Sequence, residues 1–123
     1  MTTADLSAHL SAVVAAIRSR RLPLGHEKET QEAISDALTA AGIEHVRERR
    51  IGARDILDHF TVGGVAVEVK LRGGKRDIHR QLCRYAEHEE VKALVLASSV
   101  AMGLPPSING KPLVAISLGS AWL

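Results

Sequence analysis

The stretch that decides the fold is Asp58-His59-Phe60-Thr61-Val62-Gly63-Gly64-Val65-Ala66-Val67-Glu68-Val69-Lys70. Two β-rich runs, 56–62 and 65–71, flank Gly63-Gly64, a pair that signals a two-residue hairpin. A strict two-residue loop sets Val62 opposite Val65, so His59 faces Glu68 and Leu57 faces Lys70. Glu68 and Lys70 are two apart on one strand and project from the same face. The strand around them is apolar enough to be central. A buried carboxylate and ammonium side by side are costly unless they serve each other or a ligand. Either an internal Glu–Lys pair on a sheet face or a ligand site satisfies that condition. Asp58 lies across the hairpin and brings a second carboxylate near. In the strict register Asp55 shares the Glu68 face, and Asp58 needs a bulge or bend to reach it. Asp58 is preferred, with Asp55 as the alternative. His59 is a candidate for the site's edge. Two carboxylates and a lysine suit Mg²⁺ with a phosphate, because carboxylates hold hard cations through oxygen and lysine offers a point charge.

Working outward, residues 4–20 read as a helix, with Leu6, Leu10, Val13, Val14 and Ile17 at helical spacing. Pro23 and Gly25 break it. A second helix spans 26–41, with Gly42 as its stop. Residues 43–51 form a strand, and 76–90 form a helix after a basic loop. VKALVLASS (91–99) is a buried strand, 101–111 a Pro/Gly/Asn loop, and 112–119 the last strand. The order α-α-β-β-β-α-β-β predicts an α/β protein: a mixed sheet of about five strands with helices on its faces.

The chain has 123 residues, enough for one domain (1–123), and its 46% hydrophobic and 24% charged content is that of a folded protein. No apolar run reaches the ~18 residues of a membrane span, so no membrane partner is expected. The opening MTTADLSAHL lacks a secretory pattern, and a single cysteine, Cys83, excludes an internal disulfide and a cysteine-built metal site. Cytoplasmic location is the expectation. Net charge is only +2, yet residues 26–43 carry −3 and residues 44–84 carry +4. An acidic segment beside a basic one suggests a polyanion site with a metal, or simply solvated faces.

At Asp58…Glu68-Val69-Lys70 the sequence resembles the PD-(D/E)XK nuclease superfamily, whose core motif is an Asp on one hairpin strand and Glu-x-Lys on the next. Leu57 stands where the motif's proline would be. Gln81-Leu82-Cys83-Arg84-Tyr85 is similar to the Gln-x-x-x-Tyr motif of RecB-like and lambda-exonuclease-like members. Glu27 matches a helix glutamate that reaches the metal in many members. The resemblance covers residues 26–120 and implies a restriction-endonuclease-like core with residues 1–22 as an extra N-terminal helix. It implies a Mg²⁺-dependent DNA nuclease, with Mn²⁺ able to substitute. Asp58, Glu68, Lys70, Glu27 and Gln81 would be catalytic. The metal would lie on Asp58, Glu68, Glu27 and the Val69 carbonyl. Arg72, Lys75, Arg76, Arg80, Arg84 and Tyr85 would hold DNA. Branched DNA or free ends are the expected substrates, as for junction resolvases or exonucleases. A homodimer is expected, with the first helix offering a face. The small size suits a phage or mobile element. The alternative is a non-catalytic DNA-binding module or a subunit needing a partner. With only Phe60, Tyr85 and Trp122 as aromatics, contacts should be to phosphates rather than stacked bases.

Overall fold

The computed structural model describes residues 2–119, so Trp122 lies outside the described residues. The elements are α1 (Thr3–Arg18), α2 (Glu27–Ala40), β1 (His45–Ile51), β2 (Asp55–Thr61), β3 (Val65–Lys70), α3 (Lys75–Ala86), β4 (Ala93–Ser98), β5 (Ser107–Ile108) and β6 (Lys111–Ser117). The sheet order is β1-β2-β3-β4-β6-β5. β1, β2 and β3 form an antiparallel meander, β3, β4 and β6 run parallel, and β5 returns antiparallel to β6. The parallel β3–β4 pair needs a crossover, which α3 supplies. The protein is thus α/β, with a mixed six-stranded sheet. The extra strand, β5, is two residues long and falls inside the expected loop 101–111, where Asn109 and Gly110 turn the chain at positive φ.

Thr2 caps α1: its hydroxyl accepts from Asp5 N–H at 3.1 Å, and the Asp5 carboxylate accepts from Thr2 N–H at 3.2 Å. Leu10, Val13, Val14, Ala16 and Ile17 bury the apolar stripe of α1 against α2, β4 and β6. That stripe is used inside the chain, and the rest of α1 faces outward. Ile34 and Leu38 of α2 meet Val65, Val67 and Val69 of β3 in the same cluster. On the opposite face, Ile78, Leu82, Tyr85 and Ala86 of α3 pack on Leu57, Ala66, Leu94 and Leu96. α3 stops at Ala86 rather than 90, because Glu87 and His88 donate to carbonyls three residues back. The cores are aliphatic apart from Tyr85, as the 2% aromatic content requires. Among the described residues no helix is long and apolar enough to cross a membrane.

Candidate active site

Glu68 ends up in the interior because its strand is central. The odd residues of β3 (Val65, Val67, Val69) enter the α1/α2 core, so Ala66 and Glu68 turn toward α3. Glu68 is 4% exposed. Its Oε1 accepts from the Tyr85 hydroxyl at 3.3 Å, and its Oε2 lies 3.5 Å from Lys70 Nζ. Lys70, at the strand end, is half-buried and marks the mouth of the site.

The hairpin turn differs from the two-residue loop expected. Gly64 N–H donates to the Thr61 carbonyl at 2.9 Å, and Val65 N–H donates to the Thr61 hydroxyl at 3.0 Å. The loop is therefore Val62-Gly63-Gly64, closed by a side chain that spacing could not reveal, with Gly64 at φ +92°. The register moves by one: His59 pairs with Val67 and Phe60 with Ala66. Continuing it sets Asp58, not His59, opposite Glu68. The ladder ends there, and Asp58 Oδ2 accepts from Val69 N–H at 2.8 Å instead. Opposite Asp58, Glu48 of β1 takes φ +50°. Past this point the ribbon turns its faces over. His59 and Thr61 look toward α2 and α1, whereas Leu57 and Asp55 look toward α3. Both a bend and a changed register bring Asp58 to Glu68. Asp55 is elsewhere, with Arg84 Nε at 3.1 Å and His88 Nε2 at 3.3 Å. His59 is not at the site's edge: it is fully buried, with Nε2 2.8 Å from the Gln31 carbonyl. Burial drives its pKa down to about 4.

Burial drives the two carboxyls the other way. Glu68 is pushed up to about 8, first by desolvation and then by the charge of Asp58, against the pull of Lys70. Asp58 is also raised by desolvation, against the Val69 N–H bond that favours its anion. Without added positive charge the pair holds a proton near neutral pH. Tyr85 is pushed up by burial and by these neighbouring carboxylates.

The remaining expected residues divide into three groups. Glu27, in the first turn of α2, has Oε1 accepting from Leu71 N–H at 3.0 Å, so it is tied to the chain just past Lys70 and its charge is felt at Asp58. Gln81 lines a groove of about 420 Å³ with Lys70, Arg72, Gly73, Gly74, Asp77, Ile78, Arg80 and Arg84. A smaller hollow of about 180 Å³, lined by Gly25, His26, Glu27, Leu71 and Arg72, adjoins it at Arg72. Lys75 and Arg76 are exposed at the start of α3. Tyr85 departs from expectation: at 1% exposure it cannot touch DNA. Its hydroxyl instead donates to the Ile56 carbonyl at 2.9 Å and reaches Glu68. It supports the carboxylate from beneath. Two residues with no sequence signal also shape the mouth. Ser98 and Ser99 donate hydroxyl bonds to the Lys70 and Leu71 carbonyls at 2.6 and 2.9 Å. A larger groove, about 810 Å³, lies apart, along β1 between Thr39 and Val62.

Among the described residues no three His, Cys, Asp or Glu side chains converge as a finished ligand set. The donors that do meet are the Asp58 and Glu68 carboxylates. The Val69 carbonyl faces the same side of the strand as the N–H that Asp58 accepts, as extended backbone requires. All are hard oxygens, and both carboxyls are raised in the absence of a cation. That chemistry fits Mg²⁺ or Mn²⁺ and not a soft metal. No protein-family model, no curated protein and no solved structure matches the chain.

Proposed function

We propose that the chain is a Mg²⁺-dependent deoxyribonuclease with a restriction-endonuclease-like core of the PD-(D/E)XK type. The observation that carries this reading is the buried Asp58–Glu68 pair beside Lys70 at the open end of a central strand. A merely structural protein gains nothing from two interior carboxylates that repel one another.

Asp58, Glu68 and the Val69 carbonyl would hold the cation, with Glu27 assisting from Leu71. Bound Mg²⁺ supplies a Lewis acid for the phosphate and acidifies water. Lys70 orients the attacking water and offsets negative charge as it builds on the phosphate. Tyr85 fixes the Glu68 carboxylate through its hydroxyl. Gln81, Arg72 and Arg80 line the groove where the DNA backbone passes. The groove presents mainly basic side chains suited to phosphates rather than to base edges, so DNA shape or ends would set the choice of substrate.

The test is incubation of the intact chain with linear, nicked, flapped and four-way-junction DNA, with and without Mg²⁺ or Mn²⁺. Calorimetric titration with each metal runs alongside. Metal-dependent cleavage lost in Lys70→Ala supports the reading. Metal uptake or DNA binding without cleavage favours the non-catalytic module instead. Absence of both cleavage and metal uptake refutes the nuclease.

A further inference from the structure

We propose that the outer half of the β1–β2 ribbon is a second phosphate-binding arm. It would grip the DNA backbone beside the cleaved bond through Arg50 and Arg54. The proposal rests on the nuclease reading and deepens it by naming a second contact surface outside the α3 groove.

β1 is an edge strand, exposed at each position from Val46 to Arg50. It carries Arg47, Arg49 and Arg50, and Arg54 follows in the turn. Part of this charge is compensated. Glu48 pairs with Lys28 at 2.7 Å, and Arg49 lies 3.8 Å from Glu90 and 5.5 Å over the Phe60 ring. The guanidinium groups of Arg50 and Arg54 have no hydrogen-bond or ion-pair partner among the described residues. An edge strand made of arginines and broken at Glu48 resists pairing with another strand. A polyanion is the occupant that this surface suits, since the guanidinium fork matches phosphate oxygens.

The arm is held rigidly. Ile51 and Leu57 are buried against α3. Asp55 is bonded to Arg84 and His88, and the Ile56 carbonyl accepts from Tyr85. Gly52, at φ +65°, rests so closely on His88 that a Cβ there would meet the ring at 2.5 Å. Binding therefore has little arm entropy to overcome. Arg54 stands four residues from Asp58, or ~13 Å at ~3.3 Å per extended residue. The arm thus starts at the site and reaches DNA flanking the cut.

The test measures DNA binding by the intact chain in metal-free buffer, where no cleavage occurs. Anisotropy of a labelled 20-bp duplex is followed across 50–300 mM salt for wild type, Arg50→Gln/Arg54→Gln and Arg72→Gln/Arg76→Gln. Each lost phosphate contact should lower the log–log salt slope by ~0.9 and, at 0.1 M salt, weaken binding roughly 8-fold. The arm variant should therefore lose ~1.8 in slope and bind ~60-fold more weakly, with its circular dichroism unchanged. An arm variant matching wild type, while the groove variant loses slope, overturns the arm and leaves the nuclease standing. Wild-type protein that binds no DNA at any salt also overturns the arm, while the nuclease stands or falls on the cleavage and metal-uptake assays.

Discussion

Replacing Glu68 with Gln should make the protein more stable at alkaline pH, and the size of the effect follows from where Glu68 sits. Its carboxyl moves from 4.5 in the unfolded chain to about 8 in the fold. The folded state thus binds a proton more tightly than the unfolded one. That contribution is fully present below pH 4.5 and is lost as pH rises through about 8. At about 1.4 kcal/mol per pH unit, the loss is on the order of 5 kcal/mol. A chain of this length is stable by roughly 6–18 kcal/mol, so the effect is large. Gln is uncharged and nearly isosteric, so Glu68→Gln should match wild type near pH 5. It should exceed wild type by roughly 15–20 °C in melting temperature near pH 9. The assay is thermal or urea unfolding of both proteins from pH 5 to 9 in metal-free buffer. Subtracting one curve from the other removes the histidines, including buried His59, whose own effect falls between about pH 4 and 6.5. Adding Mg²⁺ at pH 8 should raise the wild-type curve and leave Glu68→Gln where it was. A difference curve flat from pH 5 to 9 would show that the carboxyl is not held out of water beside Asp58, and the reasoning would fail.

Other expected outcomes follow from single contacts. Lys70→Ala should abolish metal-dependent cleavage with a melting temperature within a few degrees of wild type, because the side chain is partly exposed and makes one 3.5 Å ion pair; unchanged turnover would remove Lys70 from the mechanism. Tyr85→Phe strips the donor from the Ile56 carbonyl and Glu68 and should cost about 1–3 kcal/mol in urea unfolding, along with part of kcat. Gly52→Ala puts a Cβ against His88 at positive φ and should destabilise by about 1–3 kcal/mol; a neutral result would mean that the turn does not rest on α3. Glu27→Gln should weaken Mg²⁺ uptake measured by calorimetry while keeping the Leu71 N–H bond through its amide oxygen.

Local pattern made most of the elements readable. The valines at 65, 67 and 69 mark a central strand and VKALVLASS a second buried one, because strands buried on both faces have little choice of residue. The Glu68/Lys70 pairing on one face followed from a period of two. What escaped the sequence depended on partners distant along the chain or on single side chains. The Thr61 hydroxyl closed the loop one residue wider than Gly63-Gly64 implied, and that shift decided which residue faces Glu68. His59 is buried by the Gln31 carbonyl of α2, and Tyr85 by contacts on β2, neither of which spacing encodes. The sequence prefers Asp58 but leaves Asp55 as an alternative, and the bend at Glu48 separates them, with Asp55 on Arg84 and Asp58 on Val69.

Tyr85 is the only tyrosine in the chain, and its hydroxyl touches Glu68. The protein therefore carries a built-in optical reporter where it matters most. Any event that changes the charge on Glu68, whether loss of its proton or arrival of a cation, alters the field across one phenol ring. The near-ultraviolet difference spectrum, read without label or mutation, should titrate in step with the carboxylate pair.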